Sequence, residues 1–419
     1  MHAAPLLNRT LLTLMAGHFT VDLYSGVLPV LYPILRERFA LDLAAVGLFA
    51  TTFTAAASLS QPLFGVAIDR WGSRALAPLA VAWMASFLAL LGFMPGYGTV
   101  LAVAVLAGLG SGAYHPLGAA NVAAVTDPAR INTAMSLYTI GGTSGFALGP
   151  LVGALVFGLF GPGGALLLLP FGLLVAVRLA LGLGDIDHRR RAAPGGGAAG
   201  RQAIRWRPLL AVLAVVMLRS WVVLVLIAFI PILYKDLGWS ARFYSPLLFT
   251  VIIAGSTGTF LGGLLADRIG RRPVIVGSLA LLGPAIWLFL AFPGPGSFAL
   301  GALAGFLADA SLPVTLTLAQ GLVPGRVGMT SGLILGLGFV TGGVGVSITG
   351  ALADRIGLAQ ALATLPALLV VALLLTPLVP GDVPAPMAAR DEGQGARGEG
   401  PALDAAKGQA QAVPMHGDS

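Results

Sequence analysis

The chain has 419 residues, of which 57% are hydrophobic and only 10% are charged, and its formal net charge is +7. This balance excludes an ordinary soluble protein, because too little polar surface remains to keep a fold dissolved. The absence of Cys excludes disulfides and Cys-ligated metal sites, and the Arg residues stand in short clusters between apolar runs, which argues against a nucleic-acid-binding protein.

Apolar runs of roughly 20 residues, the length that crosses a bilayer as a helix, recur along the chain. We place them at residues 10–34, 42–68, 75–94, 98–125, 131–157, 160–183, 208–234, 241–266, 273–292, 296–322, 328–352 and 357–379. The first run contains His18 and Asp22 and no small-residue cleavage site, so we expect a retained helix rather than a signal peptide. The pattern predicts an all-α integral membrane protein with twelve transmembrane helices.

The positive residues predict the orientation of these helices. With the N-terminus in the cytoplasm, most of the Arg residues fall in cytoplasmic segments. The outer segments then contain only Arg36, Arg38, Lys235, Arg242 and Arg355. This asymmetry predicts that both termini are cytoplasmic and that the chain lies in the bacterial inner (cytoplasmic) membrane.

Composition also predicts the division into domains. Residues 185–207 are rich in Gly and Arg and lack apolar periodicity, so we interpret them as a cytoplasmic linker. The linker separates two six-helix halves, residues 1–184 and 208–380. Residues 381–419 lack apolar clusters, and we expect a disordered cytoplasmic tail.

One phrase occurs three times at the ends of predicted spans. The copies are Gly65-Val-Ala-Ile-Asp69-Arg70, Gly263-Leu-Leu-Ala-Asp267-Arg268 and Gly350-Ala-Leu-Ala-Asp354-Arg355. The first two follow the second and eighth spans, and the third follows the eleventh span, on the outer face. Internal duplication of this kind is typical of transporters built from repeated sets of helices.

These phrases resemble the loop signature of the major facilitator superfamily, and with the spans the resemblance covers residues 10–380. It implies a secondary transporter, not an enzyme, that works by alternating access as a monomer and without a cofactor. We expect Gly65 and Gly263 to permit close helix packing. Conformational gating is expected of Gly65, Asp69, Arg70, Gly263, Asp267 and Arg268. The carboxylates of Asp69 and Asp267 would accept hydrogen bonds from helix N-termini and Arg side chains.

The fifth span contains a second phrase with implications for function. Gly145, Gly149 and Pro150 resemble the phrase G-x-x-x-G-P of the superfamily's antiporters, which favours efflux. Small residues at this spacing let two helices touch along their backbones, so these residues are further gating candidates. The alternative interpretation is generic tight packing in a Gly-rich protein.

Two further phrases resemble the fosmidomycin-resistance family of drug exporters. They are Gly17-His18-Phe19-Thr-Val-Asp22 in the first span and Tyr114-His115-Pro116 in the fourth. Leu117 and Ala120 stand where that family has Glu and Arg. The resemblance implies proton-driven export of small, often anionic or amphiphilic compounds.

Ionisable side chains inside a span are rare, because each costs at least about 2.5–3.5 kcal/mol at a helix centre. The predicted spans contain His18, Asp22, His115, Arg219 and Asp309, which fall on the first, fourth, seventh and tenth spans. His18 and Asp22 are four residues apart and share one helical face, so we expect them to share a proton and to carry proton coupling. The alternative is that they bond to polar groups between helices.

The remaining candidates are expected to contact substrate. They are His115, Tyr114, Asn121, Arg219 and Asp309. His115 precedes Pro116, which frees backbone carbonyls for a ligand, although a structural His is the alternative. Arg219 and Asp309 would either neutralise each other permanently or attract an anionic substrate. The few His residues are scattered along the sequence, and no metal site is expected.

Three functions remain open at this point. The first is a proton-coupled antiporter that exports a small organic compound or drug. The second is a proton-coupled importer of an organic acid or other nutrient, because direction depends on coupling rather than fold. The third is a non-transporting receptor or scaffold. The expected partners are a small-molecule substrate, protons and the lipid bilayer.

Overall fold

The computed structural model describes the backbone of residues 8–71, 75–126, 131–183, 204–323 and 327–380. Within these ranges the secondary structure is helical and contains no strand. The α-helices are α1 (Arg9–Phe39), α2 (Leu43–Trp71), α3 (Leu76–Leu90), α4 (Tyr97–Val125), α5 (Ile131–Phe160), α6 (Leu169–Gly182), α7 (Trp206–Asp236), α8 (Ala241–Ile269), α9 (Arg271–Ala291), α10 (Ser297–Ala310), α11 (Leu312–Leu322), α12 (Val327–Ile356), α13 (Leu358–Ala363) and α14 (Leu365–Leu375).

The predicted linker and tail lie almost wholly outside the described residues. The structure resumes at Ile204, and α7 begins at Trp206, inside the stretch interpreted as linker. The predicted tail, residues 381–419, is not described.

Eleven stretches of the described chain are long and apolar enough to cross a bilayer. One of them, Ala134–Gly182, is 49 residues long and holds two passes. Gly141, early in α5, lies beside Met15, and Gly182, at the end of α6, lies beside Thr13. Because both contacts lie near the start of α1, the chain returns to the face from which α5 began. The prediction of twelve transmembrane helices is therefore confirmed.

Three of the predicted spans are interrupted before a proline. The sixth span begins as a 3-10 helix before α6, the tenth is interrupted at Ser311 between α10 and α11, and the twelfth is interrupted at Thr364 between α13 and α14. In each case a Pro occupies the first turn of the helix that follows. Proline has no N–H to donate to the preceding turn, so the helix restarts there.

The helices form two halves with the same pattern of contacts. In the first half α1 packs on α5, α2 on α4 and α3 on α6. In the second half α7 packs on α12, α8 on α10 and α9 on α14, which are the equivalent pairs. The halves meet where α2 contacts α12 and α5 contacts α8. The predicted arrangement of two related six-helix halves is confirmed.

The surface of the bundle is apolar and part of its interior is polar. Leu63 and Leu181 are 72% and 79% exposed, whereas Asn121 and Arg219 are buried. A soluble protein has the reverse arrangement, and hydrocarbon is the solvent in which exposed Leu side chains are stable. This distribution agrees with an integral membrane protein.

The two membrane faces of the bundle differ in their contacts. We call the face where α6 ends and α7 begins the linker face, and the face where α1 ends and α2 begins the opposite face. At the opposite face the Nη1 atom of Arg36 lies 2.8 Å from Asp236, and Lys235 Nζ lies 2.6 Å from Glu37. These ion pairs join the ends of α1 and α7 across the two halves.

Candidate functional site

A titratable cluster in the first half begins with the pair on α1. His18 Nε2 lies 3.2 Å from Asp22 Oδ2, as the spacing of four residues predicted. The side chains are 10% and 19% exposed, so both lie mostly inside the bundle. The first half therefore contains an acid and a base in direct contact at the depth of the membrane.

His115 on α4 joins this pair. Its Nε2 atom lies 3.6 Å from Asp22 Oδ1, and its ring meets the His18 ring edge-on at a centroid distance of 5.2 Å. The three side chains each offer a donor atom, and these atoms lie within 4.8 Å of one another. The His residues are scattered along the sequence, but the fold brings His18 and His115 together because α1 and α4 pack side by side. The same spacing of donors would also suit a metal ion.

Tyr138 on α5 fixes the orientation of His18. The Tyr138 backbone carbonyl lies 2.9 Å from His18 Nδ1, and the two rings are stacked at a centroid distance of 4.1 Å. A carbonyl only accepts, so we assign the Nδ1 proton to that bond. The other ring nitrogen then faces a carboxylate oxygen, and this contact needs one more proton, on either His18 or Asp22. The pair is thus arranged to hold one proton.

Glycines on α5 make room for the cluster. A Cβ added to Gly142 would lie 2.5 Å from both Asp22 Oδ2 and His18 Nε2. A Cβ at Gly145 would lie 2.1 Å from the Phe19 carbonyl oxygen. The predicted close backbone contact of the fifth span is confirmed, and its partner is α1.

The next glycine along α5 continues this contact. A Cβ at Gly149 would lie 2.4 Å from the Gly26 carbonyl carbon, and Pro150 lies inside the same helix. Sequence reasoning missed Tyr138 and Gly142. The signal was available, because Tyr138, Gly142, Gly145 and Gly149 follow one another at helical spacing on a single face.

Two other predicted substrate contacts are buried behind the cluster. Tyr114 has no exposed surface, and its hydroxyl donates to the Leu14 carbonyl over 2.8 Å. Asn121 is also fully buried. Tyr114 therefore joins α4 to α1 in this structure, and substrate contact by either residue stays a prediction.

The second half contains its own charged pair. Arg219 on α7 donates from Nη1 to Asp309 Oδ1 on α10 over 2.8 Å and to the Ala308 carbonyl over 2.9 Å. The Arg219 side chain is 4% exposed and its Nε atom is buried without a hydrogen bond, whereas the Asp309 side chain is 28% exposed. The two residues neutralise each other, and Asp309 is the more exposed member of the pair.

The two clusters are separate. Within the described ranges, none of the hydrogen bonds or ion pairs joins the residues of α1 and α4 to the pair on α7 and α10. The five ionisable candidates therefore form one cluster in each half. None of them is an isolated charge facing lipid.

The predicted gating residues at the linker face are only partly described. Of the residues that the structure describes, none lies within 4 Å of a Cβ added to Gly65, and Pro313 lies 3.7 Å from one added to Gly263. Among the described residues no backbone lies against these two glycines, and close helix packing at Gly65 and Gly263 stays a prediction. Asp267 and Arg268 are exposed. The side chains of Asp69 and Arg70 lie outside the described part of the chain.

Comparison with known proteins identifies the family. The sequence profile of the Major Facilitator Superfamily matches residues 14–252 and 209–412. The fosmidomycin resistance protein of Escherichia coli (strain K12) is 30% identical over 345 residues, which are 81% of this chain and 85% of that protein. The uncharacterized MFS-type transporter YfnC of Bacillus subtilis (strain 168) is 33% identical over 376 residues, 85% of this chain and 90% of that protein.

The solved structures agree with this assignment. A bacterial homologue of the human lysosomal transporter Spinster, in an inward-facing and occupied conformation, superposes with a TM-score of 0.76. The match covers 88% of this chain and 95% of that chain at 19% identity, which supports a shared fold. By its sequence profile, its relatives and its twelve-helix architecture, the chain belongs to the major facilitator superfamily of membrane transporters, which are not enzymes.

Proposed function

We propose that the chain is a proton-coupled antiporter that exports a small organic compound by alternating access. The observation that carries the proposal is the contact of His18 with Asp22 inside the bundle. The two groups need one proton between them. Without it, the lone pair of His18 Nε2 would face the Asp22 carboxylate, and the two would repel each other. Such a pair is suited to exchange a proton each time the carrier turns over.

Substrate binding is assigned to the partly exposed members of both clusters. His115 and Asp309 have side chains that are 31% and 28% exposed, so a ligand between the halves would reach them first. An anionic group on the ligand would compete with Asp309 for Arg219, whose Nε–H group has no hydrogen-bond partner. Tyr114 and Asn121 would shape the wall behind His115. This arrangement favours a small compound with an anionic or polar group.

Two observations support export rather than import. The phrase at Gly145, Gly149 and Pro150 resembles that of antiporters, and a relative at 30% identity is named for drug resistance. The Arg-rich side of the bundle is the linker face, so we place this face and both termini in the cytoplasm. The protein would then lie in the bacterial inner membrane and act as a monomer, and its closed opposite face would be the outer one.

Flux measurements in proteoliposomes test proton coupling. A compound library is screened with and without a pH gradient, using the wild-type chain and Asp22→Asn. We expect the gradient to accelerate wild-type flux about tenfold or more, which corresponds to about 1.4 kcal/mol in the activation free energy of the slowest step. Asp22→Asn should lose this acceleration and keep substrate exchange at equal pH, because the proton site is lost while the substrate contacts remain.

Two outcomes would contradict the proposal. Gradient-driven flux that survives in folded Asp22→Asn would place the coupling site elsewhere. A complete absence of flux for the wild-type chain would favour a receptor or scaffold. Substrate accumulation in intact cells separates export from import, because an exporter lowers the internal level of its substrate and an importer raises it.

A further inference from the structure

The third copy of the repeated phrase contacts the other half of the protein. This copy, Gly350 to Gly357, spans the end of α12. Asp354 Oδ1 accepts from the Leu43 backbone N–H over 2.8 Å, and Asp354 Oδ2 accepts from the Ala44 N–H over 2.9 Å. Leu43 and Ala44 are the first residues of α2, whose N–H groups have no partner within their own helix. Asp354 therefore caps a helix of the first half from the second half.

The backbones beneath this contact touch directly. A Cβ at Gly350 would lie 2.3 Å from the Leu43 carbonyl oxygen, and a Cβ at Gly47 would lie 2.5 Å from Ser347 Cα. One turn deeper, Thr51 Oγ1 is 2.5 Å from the Gly343 carbonyl oxygen and 2.8 Å from Ser347 Oγ. The last turns of α12 are thus fitted closely to the first turns of α2, with Asp354 at the end of the interface.

The position of Asp354 suits an electrostatic contact that must form and break. A carboxylate at a helix N-terminus gains from the unpaired N–H groups and from the helix dipole. The contact spans 311 residues of sequence and joins the two halves, so it is lost whenever the halves separate at this face. Asp42, one residue before α2, accepts from the Ala45 N–H over 2.7 Å and stays with α2 in any conformation. Asp42 is the local cap, and Asp354 is the cap that moves.

We propose that Asp354 is a latch that holds the opposite face closed and releases α2 each time that face opens. The first copy of the phrase ends α2 at the linker face, and the third copy holds the beginning of α2 at the opposite face. One helix thus meets a copy of the same phrase at both ends. The proposal rests on the alternation of the two faces and does not depend on the substrate or on proton coupling.

Distances between spin labels across the opposite face test the latch. The chain has no Cys, so the pair Gly98→Cys and Gly296→Cys can be labelled without background. Gly98 lies in the first turn of α4 and Gly296 just before α10, one in each half, and a Cβ added at either position meets none of the described residues within 4 Å. We expect one short distance to dominate in the parent, and Asp354→Asn to raise the long-distance population about three- to tenfold.

The matched control breaks another charge contact at the same face. Asp236→Asn removes the partner of Arg36, whose ion pair is well exposed, and should change the populations less than about twofold. Unchanged populations in Asp354→Asn, or an equal shift in Asp236→Asn, would overturn the latch. Should Asp354→Asn not fold, native Asp354 is measured in an Asp236→Asn, Glu37→Gln background at low and high salt.

The salt measurement has two outcomes. High salt screens an exposed charge contact, so the long-distance population should rise with salt if Asp354 holds the face closed. Populations that do not respond to salt would overturn the proposal. Because no step requires transport, the latch can fail while proton-coupled export stands, and the reverse is equally possible.

Discussion

Single residues set the chemistry of the first-half cluster, and Gly142 is among the most constrained of them. A methyl group there would lie 2.5 Å from both Asp22 Oδ2 and His18 Nε2. We expect Gly142→Ala to displace the pair, to cost about 1–3 kcal/mol through overpacking, and to abolish the acceleration of flux by a pH gradient.

The control for Gly142→Ala is Gly158→Ala on the same helix. A Cβ at Gly158 would meet nothing within 4 Å, so this variant should keep both stability and coupling. The two variants are compared by thermal unfolding in detergent and by gradient-driven flux. Equal behaviour of the two variants would show that the position of the His18–Asp22 pair does not matter for coupling.

The charged pair of the second half makes a prediction about stability. Asp309→Asn leaves the buried guanidinium of Arg219 without a counter-charge, which costs about 3–5 kcal/mol for a fully buried pair. Because the Asp309 side chain is 28% exposed, we expect about 3 kcal/mol or less. Arg219→Met combined with Asp309→Asn should restore part of the loss. A double-mutant cycle on the free energy of unfolding measures the coupling, and additive losses would contradict a direct interaction.

Residue types also explain which part of the site was visible in the sequence. His18 and Asp22 stood out because a charge in an apolar run is rare. Tyr138 did not, since it acts through a backbone carbonyl and a ring face, and its only mark in the sequence is its helical spacing with the glycines of α5. The partner of Asp354 was invisible for another reason, because a contact across 311 residues depends on how the halves meet.

At the scale of the elements, the close contact between α1 and α5 predicts how the first half responds to added volume. A Cβ at Gly149 would lie 2.4 Å from a backbone atom of Gly26. Backbone atoms cannot move aside by changing a rotamer, so the helices would have to shift. We expect Gly149→Ala to destabilise the protein by about 1–3 kcal/mol, measured by thermal unfolding. Gly158→Ala again serves as control, and an equal melting temperature for both variants would refute tight packing here.

Helix existence followed from the sequence, whereas helix continuity did not. Runs of apolar residues place all twelve passes because hydrocarbon imposes a length on each one. The interruptions at Ser311 and Thr364 precede Pro residues, but other Pro residues, such as Pro116 and Pro150, lie inside unbroken helices. Neighbouring helices decide which prolines interrupt a helix, and that information is not local.

At the scale of the whole molecule, the linker face should be the cytoplasmic one. A Cys introduced by Ala198→Cys should react with a membrane-impermeant reagent only in inverted vesicles. A Cys introduced by Gly98→Cys should react only in intact cells whose outer membrane has been permeabilised. The reason is the excess of Arg near the linker face, which resists translocation. Labelling in the opposite sense would invert the proposed direction of every transport step.

The separation of the two charged clusters has a consequence for bioenergetics. His18 with Asp22 and one proton is electrically balanced within the first half, and Arg219 with Asp309 is balanced within the second. When the halves rock with that proton bound, neither pair carries a net charge across the field. Once the proton has left, the His18–Asp22 pair carries one negative charge, which is worth about 2.3 kcal/mol per 100 mV. Voltage should therefore leave the reorientation of the proton-loaded carrier nearly unchanged and act on the step in which the pair has released its proton, and currents recorded on a supported membrane would measure this difference.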